Sequence, residues 1–410
     1  MNKSHQNTLI FSTGFTQILS TMKKTGTFFA IATLLLLASA CNKKPDFNYY
    51  YYTAEETALL GQYLDLPDLP HDYSVEFPAH LRSAGLFPRG VERDKAVLGR
   101  VLFYDKQLSK DGTVSCASCH KQDIGFSDDK AVSPGVYGRL GERNAIALAS
   151  VANFSAYYGT DLNGSLAIRF FWDNRAETAA EQNRGSLTNP LEMDMHMDDV
   201  VVAVENQPYY QPLFRKAYGD VSVTSDRVNE SIANFINAMG SFQSKFDEHV
   251  FGAGYSFDYS RNFSGFTPQE NNGKSIYMQV CASCHSTNMG RPVLFYANNG
   301  LDAGLTSDLG VGGITGADHE KGVFKVPTLR NIALTAPYMH DGRFQTLEEV
   351  VAHYNSGIQD HPNLHHDLQV GGQPMRMNLS NSAKQDLIAF LHTLTDDKIR
   401  VDERFANPFK

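Results

Sequence analysis

The same five residues occur twice in this chain, as Cys116-Ala117-Ser118-Cys119-His120 and Cys281-Ala282-Ser283-Cys284-His285, 165 positions apart, and they use four of the five cysteines. Two cysteines three apart with a histidine directly after the second are the arrangement that attaches a porphyrin covalently. Each thiol forms a thioether, and the adjacent imidazole is held beneath the iron as proximal ligand. A zinc-binding or redox Cys-x-x-Cys has no need of that histidine. Two c-type haems are therefore expected, one for each half of a chain whose 410 residues exceed one ordinary core.

The fifth cysteine, Cys41, stands at the end of a different kind of segment. Met22-Lys23-Lys24 precedes an apolar run from Phe28 to Leu37 and the small residues Ala38-Ser39-Ala40, which together read as an export signal. The run is short for a membrane span, and Met22 is an alternative start. Leu37-Ala38-Ser39-Ala40-Cys41 resembles a bacterial lipobox, with Ala38 where leucine is commonest, so residues 1–41 are expected to be a signal ending in a lipidated cysteine. Every cysteine then has a covalent role, none is left for a disulfide, and the lipid is the only expected membrane contact.

The net charge of −9 becomes −12 without this leader, which carries Lys3, Lys23 and Lys24 and no acid. With no basic cluster, the chain is not expected to bind nucleic acid. Residues 42–60, with Asn48 and Tyr49 to Tyr52, read as a tether without regular structure. Helical spacing of apolar residues follows at Val97 to Leu102, Val200 to Val204, Val228 to Met239, Leu347 to Tyr354 and Leu387 to Leu394, and strand alternation is scarce. The expected fold is mainly α, with two cytochrome c-like domains at 61–255 and 256–410 and long irregular loops at Gly252–Gly265 and Asn298–Gly316, which bound haem would organise.

Several blocks around the motifs resemble the bacterial di-haem cytochrome c peroxidase and MauG family over about residues 90–400. They are Leu98 to Asp105, Arg143-Asn144, Phe171 to Ala176, Pro190-Leu191-Glu192-Met193, Pro327 to Asn331 and Thr335 to Gly342, in the family's order. The resemblance implies that hydrogen peroxide reacts at the haem of His120. Electrons would come through the haem of His285 from a small periplasmic cytochrome c or cupredoxin. Glu192 would be the acid/base, Gln182 a positioning amide and Trp172 the electron bridge between haems. From composition alone, Glu192 and Gln182 would pass for exposed loop residues and Trp172 for a core aromatic. The resemblance also implies calcium between the haems, held by Asn144, Thr335 and Pro337, a haem-propionate contact from His340, and a homodimer. His361, His365 and His366 read as surface residues.

Two departures bear on function. Where many members carry a histidine that blocks the resting peroxidatic iron, this chain has Val136, and no histidine lies between His120 and His196. An iron accessible without prior reduction is expected. Where typical peroxidases place a methionine opposite the second haem, the alignment puts Tyr354, as in MauG-like members, and Met375, Met377 and His353 remain alternatives. A hard phenolate favours high oxidation states, whereas a thioether raises the potential. Three functions stay open: peroxide reduction in the periplasm or cell envelope, MauG-like oxidation of a partner polypeptide, and electron transfer without catalysis.

Overall fold

The computed structural model describes residues 51–154, 169–250 and 257–410. The signal and Cys41 lie outside them. The described chain from Tyr51 on forms one compact unit, built of helices joined by long loops, with two antiparallel ladders of two residues per strand, Tyr296–Ala297 with Phe324–Lys325 and Gln369–Val370 with Gln373–Pro374. The mainly helical expectation is met. No helix among the described residues is long and apolar enough to cross a membrane.

The first core is organised by the helix Arg93–Tyr104 lying across Ser225–Ala238. The apolar face predicted at Val97 to Leu102 is buried here, together with Phe103, Phe235 and Ile236. Each such side chain contributes about 1.5–3 kcal/mol on leaving water. The helix stops at Asp105, whose Oδ1 accepts from Gln107 N at 2.8 Å, while Oδ2 accepts from the hydroxyls of Tyr209 and Tyr210 at 2.8 and 2.7 Å. This buried carboxylate turns the chain toward the first motif.

The second core repeats the arrangement, with Pro268–Val280 across Asn381–His392. Both crossings depend on a glycine. A Cβ on Gly99 would lie 1.9 Å from the Ser231 carbonyl oxygen and 2.9 Å from Cβ of Phe235, and a Cβ on Gly273 would lie 1.8 Å from the Asp386 carbonyl oxygen and 2.9 Å from Cβ of Phe390. The internal repeat thus extends beyond the five-residue motifs to the helix pairs that frame them.

Three features differ from the sequence reading. Within the stretch expected to be an unstructured tether, residues from Tyr51 on include buried side chains and a helix. Tyr51 and Tyr52 are buried in the first core, and Ala54–Tyr63 is a helix whose capping box pairs Thr53 with Glu56 at 3.0 and 3.2 Å. Second, the end of the chain returns to the first core. Phe405 is fully buried there, Arg100 Nε donates to Ala406 O at 2.7 Å, and Tyr104 OH donates to Phe405 O at 2.7 Å. Third, His361 is not a surface residue: it is 4% exposed, and its Nδ1 accepts from Asn363 N at 3.0 Å in the turn beneath Gly322.

Candidate functional site: two haem cavities and a shared wall

Each motif forms a single helical turn. In the first, His120 N donates to Cys116 O at 3.0 Å, and in the second, His285 N donates to Cys281 O at 3.0 Å. Residues i, i+3 and i+4 of a turn share one face, so both thiols and the imidazole face the same cavity. His120 Nδ1 lies 2.9 Å from Phe126 O and His285 Nδ1 lies 3.0 Å from Pro327 O. A carbonyl only accepts, so each Nδ1 carries the proton and each Nε2 keeps the lone pair that a metal needs. Burial lowers the pKa of both rings, that of His285 to about 4, and so keeps them neutral as ligation requires.

The first cavity measures about 420 Å³ and is lined by Cys116, Cys119 and His120, by apolar groups such as Phe103, Ile146 and Ile236, and by Gln182, Asn189 and Glu192. An apolar chamber with two thiols and one neutral imidazole on a single turn suits a covalent haem. His120 is the only histidine lining it among the described residues. Val136 is fully buried, outside the lining, and its N donates to Glu192 O at 2.8 Å. Gly135 makes that packing feasible, since a Cβ there would lie 2.0 Å from Leu191 O.

Glu192 and Gln182 come from different elements. Gln182 sits on the helix Ala179–Thr188, capped by Thr178, and its Nε2 donates to Ser186 Oγ at 3.0 Å one turn on. Glu192 follows that helix in a turn organised by Asn189, whose Nδ2 donates to Glu192 Oε1 at 2.8 Å and whose Oδ1 accepts from Leu191 N at 3.0 Å. Asn189 is not among the residues that the family resemblance points to. Its signal was the Asn-Pro pair, a common turn opener.

The second cavity, about 220 Å³, is lined by Cys281, Cys284, His285, Asn144, Thr335, Pro337, His340, Tyr354, Met375 and Met377. Tyr354 shares a helix face with Leu347, Val350 and Val351, but the α-helix ends at Ala352 and Tyr354 lies in a π-helical turn, His353–Gly357. Such widened turns cluster at functional positions. Burial pushes the phenol up to about 12, and Asn299 Nδ2 lies 3.4 Å from its hydroxyl and 3.5 Å from Met339 Sδ. Asn299 and Met339 also line the cavity and were not singled out in the sequence. His353 is outside the lining, with its Nε2 3.1 Å from Asn299 O. His340 is buried and stacks on Phe324 at 3.7 Å.

Asn144, Ala145, Ile146, Val151, Trp172 and Lys325 line both cavities and so form a shared wall. Trp172 Nε1 donates to Asn144 O at 2.8 Å, while Asn144 Nδ2 donates to the carbonyls of Lys130 and Ala131 at 3.1 and 3.3 Å. The turn that carries Trp172 is closed by Phe170 N donating to Ala176 O at 2.7 Å, and it is clamped by Arg143, which binds Asp173 at 2.6 Å and Asp308 at 2.6 and 2.7 Å.

The comparisons with known proteins agree with this geometry. A family model described as di-haem cytochrome c peroxidase matches residues 93–254, and one described as cytochrome c matches residues 270–395. The methylamine utilization protein MauG of Methylorubrum extorquens is 34% identical over 306 residues, covering 73% of this chain and 78% of the relative. The cytochrome c551 peroxidase of Nitrosomonas europaea is 31% identical over 314 residues, covering 74% of this chain and 81% of the relative. A solved structure described as a MauG-like protein associated with microbial copper homeostasis superposes with a TM-score of 0.64 at 28% identity, covering 84% of this chain and 98% of that one. With two Cys-x-x-Cys-His turns facing two cavities across a tryptophan wall, the chain belongs to the di-haem cytochrome c peroxidase and MauG family, oxidoreductases that carry two c-type haems.

Proposed function

We propose that this protein reduces hydrogen peroxide to water with electrons from a small periplasmic donor, a cytochrome c or a cupredoxin. The observation that carries the reading is a carboxylate, Glu192, and an amide, Gln182, in the His120 cavity, with no second histidine lining it among the described residues. When bound, the haem of His120 supplies the iron at which the O–O bond breaks, and the haem of His285 supplies the route by which electrons arrive. Glu192 takes the proton from the near peroxide oxygen and returns it to the leaving one, a transfer within reach of a positioned carboxylate. Gln182 orients the peroxide, and Trp172, in the wall common to both cavities, passes electrons between them. Two electrons and two protons convert one peroxide to two waters.

Asn144, Thr335 and Pro337, all on the wall of the second cavity, offer neutral oxygens of the kind calcium takes, and in this reading they hold it. On the same wall, Tyr354 would be the residue to cap the second iron, and His340 the one to meet a haem propionate. Cys41 carries a lipid that keeps the protein at the cell envelope. Export, an acidic surface and peroxide chemistry fit a periplasmic location.

A second reading is favoured by Tyr354 on the His285 cavity together with valine at position 136: a MauG-like oxidase that draws electrons from a partner polypeptide. Steady-state peroxide consumption with reduced cytochrome c or cupredoxin tests both. Rapid turnover supports the peroxidase, and slow turnover with a long-lived oxidised haem spectrum supports the oxidase. Inertness toward peroxide overturns both and leaves an electron-transfer cytochrome.

A further inference from the structure

Lys325 is a buried cation in the wall between the two cavities. It is 5% exposed, it lines both cavities, and its backbone N donates to Trp172 O at 2.8 Å. Its ammonium donates to the carbonyl oxygen of Arg169 and, among the described residues, meets no carboxylate. Several charged and titratable groups on the same walls are engaged elsewhere, and Glu142, on the wall of the first cavity, is exposed. Arg143 and Asp173 bind each other, Glu192 is held by Asn189, and His340 stacks on Phe324.

An ammonium buried against one neutral carbonyl is under-compensated, and an unpaired buried charge costs several kcal/mol. Burial alone pushes this lysine down to about 7. A fold keeps such a group where something bound supplies the opposite charge. Each haem that the two motifs attach brings two carboxylates, and the shared wall lies beside both cavities.

We propose that the Lys325 ammonium is the counter-charge for a haem carboxylate at the wall between the two cavities, making Lys325 a positioning residue that tunes the potential of that haem. The proposal rests on the two-haem content and is independent of whether peroxide or a polypeptide is the substrate. Reduction adds an electron to the haem, so a nearby cation favours the reduced form. Removing that cation lowers the midpoint potential.

The test is a spectroelectrochemical titration of the holoprotein at one pH, comparing wild type with Lys325→Gln and Lys325→Arg. The expected result is a downward shift of the midpoint of one haem in the glutamine variant, with the arginine variant restored toward wild type. Wild-type midpoints for both haems in Lys325→Gln, or equal shifts in the two variants, would overturn the proposal. If Lys325→Gln does not accumulate with haem, Lys325→Met makes the same comparison with a side chain of similar length and no charge.

Discussion

The side-chain amide of Asn189 donates to Oε1 of Glu192 at 2.8 Å. One carboxylate oxygen is thereby held, the side chain is fixed in one orientation, and the other oxygen is left for a proton. Glu192→Gln is expected to slow the reaction with peroxide by roughly 10²–10⁴-fold, the usual contribution of a positioned acid/base. Asn189→Ala loses the positioning and keeps the carboxylate, so a smaller loss is expected. Stopped-flow mixing with peroxide measures both, and unchanged haem spectra before mixing separate a catalytic loss from a folding defect.

Tyr354 is half-buried on the wall of the second cavity, and desolvation pushes its phenol up to about 12, so near neutral pH it ionises only if a metal replaces its proton. Tyr354→Phe should alter the visible spectrum of the ferric low-spin haem, whereas Met375→Leu and Met377→Leu should leave it unchanged. An unaltered spectrum in Tyr354→Phe would remove the tyrosine from the iron.

Asp247 and Arg330 form a buried pair at 2.7 and 2.8 Å, with His80 Nε2 at 3.5 Å from the same carboxylate. Asp247→Asn takes the Asp247 carboxylate away from a buried guanidinium and should cost about 3–5 kcal/mol in urea unfolding of the holoprotein. Burial lowers His80 to about 4. A histidine with a lowered folded pKa stabilises the fold above its unfolded value and loses that contribution on acidification. The wild type should therefore lose up to about 3 kcal/mol as pH falls from about 6.5 to about 4. His80→Gln should flatten that part of the profile.

Gly99 and Gly273 have the same role in the two cores, each admitting a carbonyl where a Cβ would lie within 2 Å. Alanine at either position must push two helices apart, at an expected cost of about 1–3 kcal/mol from overpacking. Thermal unfolding followed at the haem bands should register both losses, with the band of the adjacent haem changing first.

Helices with strong apolar faces were legible in the sequence. Arg93–Tyr104, Met197–Glu205 and Ser225–Ala238 coincide with periodic stretches to within a few residues, and Asn381–His392 overlaps the stretch from Leu387 to Leu394 but begins six residues before it. Pro268–Val280 is hidden in the sequence because Asn271-Asn272-Gly273 lies in its interior, where local propensity disfavours a helix. Its packing on Asn381–His392 outweighs that preference, since the same Gly273 lets the backbones meet. Ala179–Thr188 is hidden for a related reason: its Gln, Asn, Arg and Ser show little periodicity, and one face lines a cavity instead of an apolar core. Lys325 gave no signal at all. A lysine reads as exposed, and only the strand pairing with Tyr296 and the backbone bond to Trp172 draw it inward.

The two Cys-x-x-Cys-His turns needed nothing beyond the sequence, because attachment and proximal ligation are decided within five residues of one helical turn. What distinguishes the two cavities was decided by the tertiary structure. Glu192, Asn189 and Gln182 share a cavity with His120, Tyr354 and Asn299 share one with His285, and Trp172 and Lys325 line both, although these residues are far apart in the chain. The physical reason is that local chemistry follows from spacing along the backbone, whereas convergence on a cavity follows from how helices cross, and here Gly99 and Gly273 set those crossings.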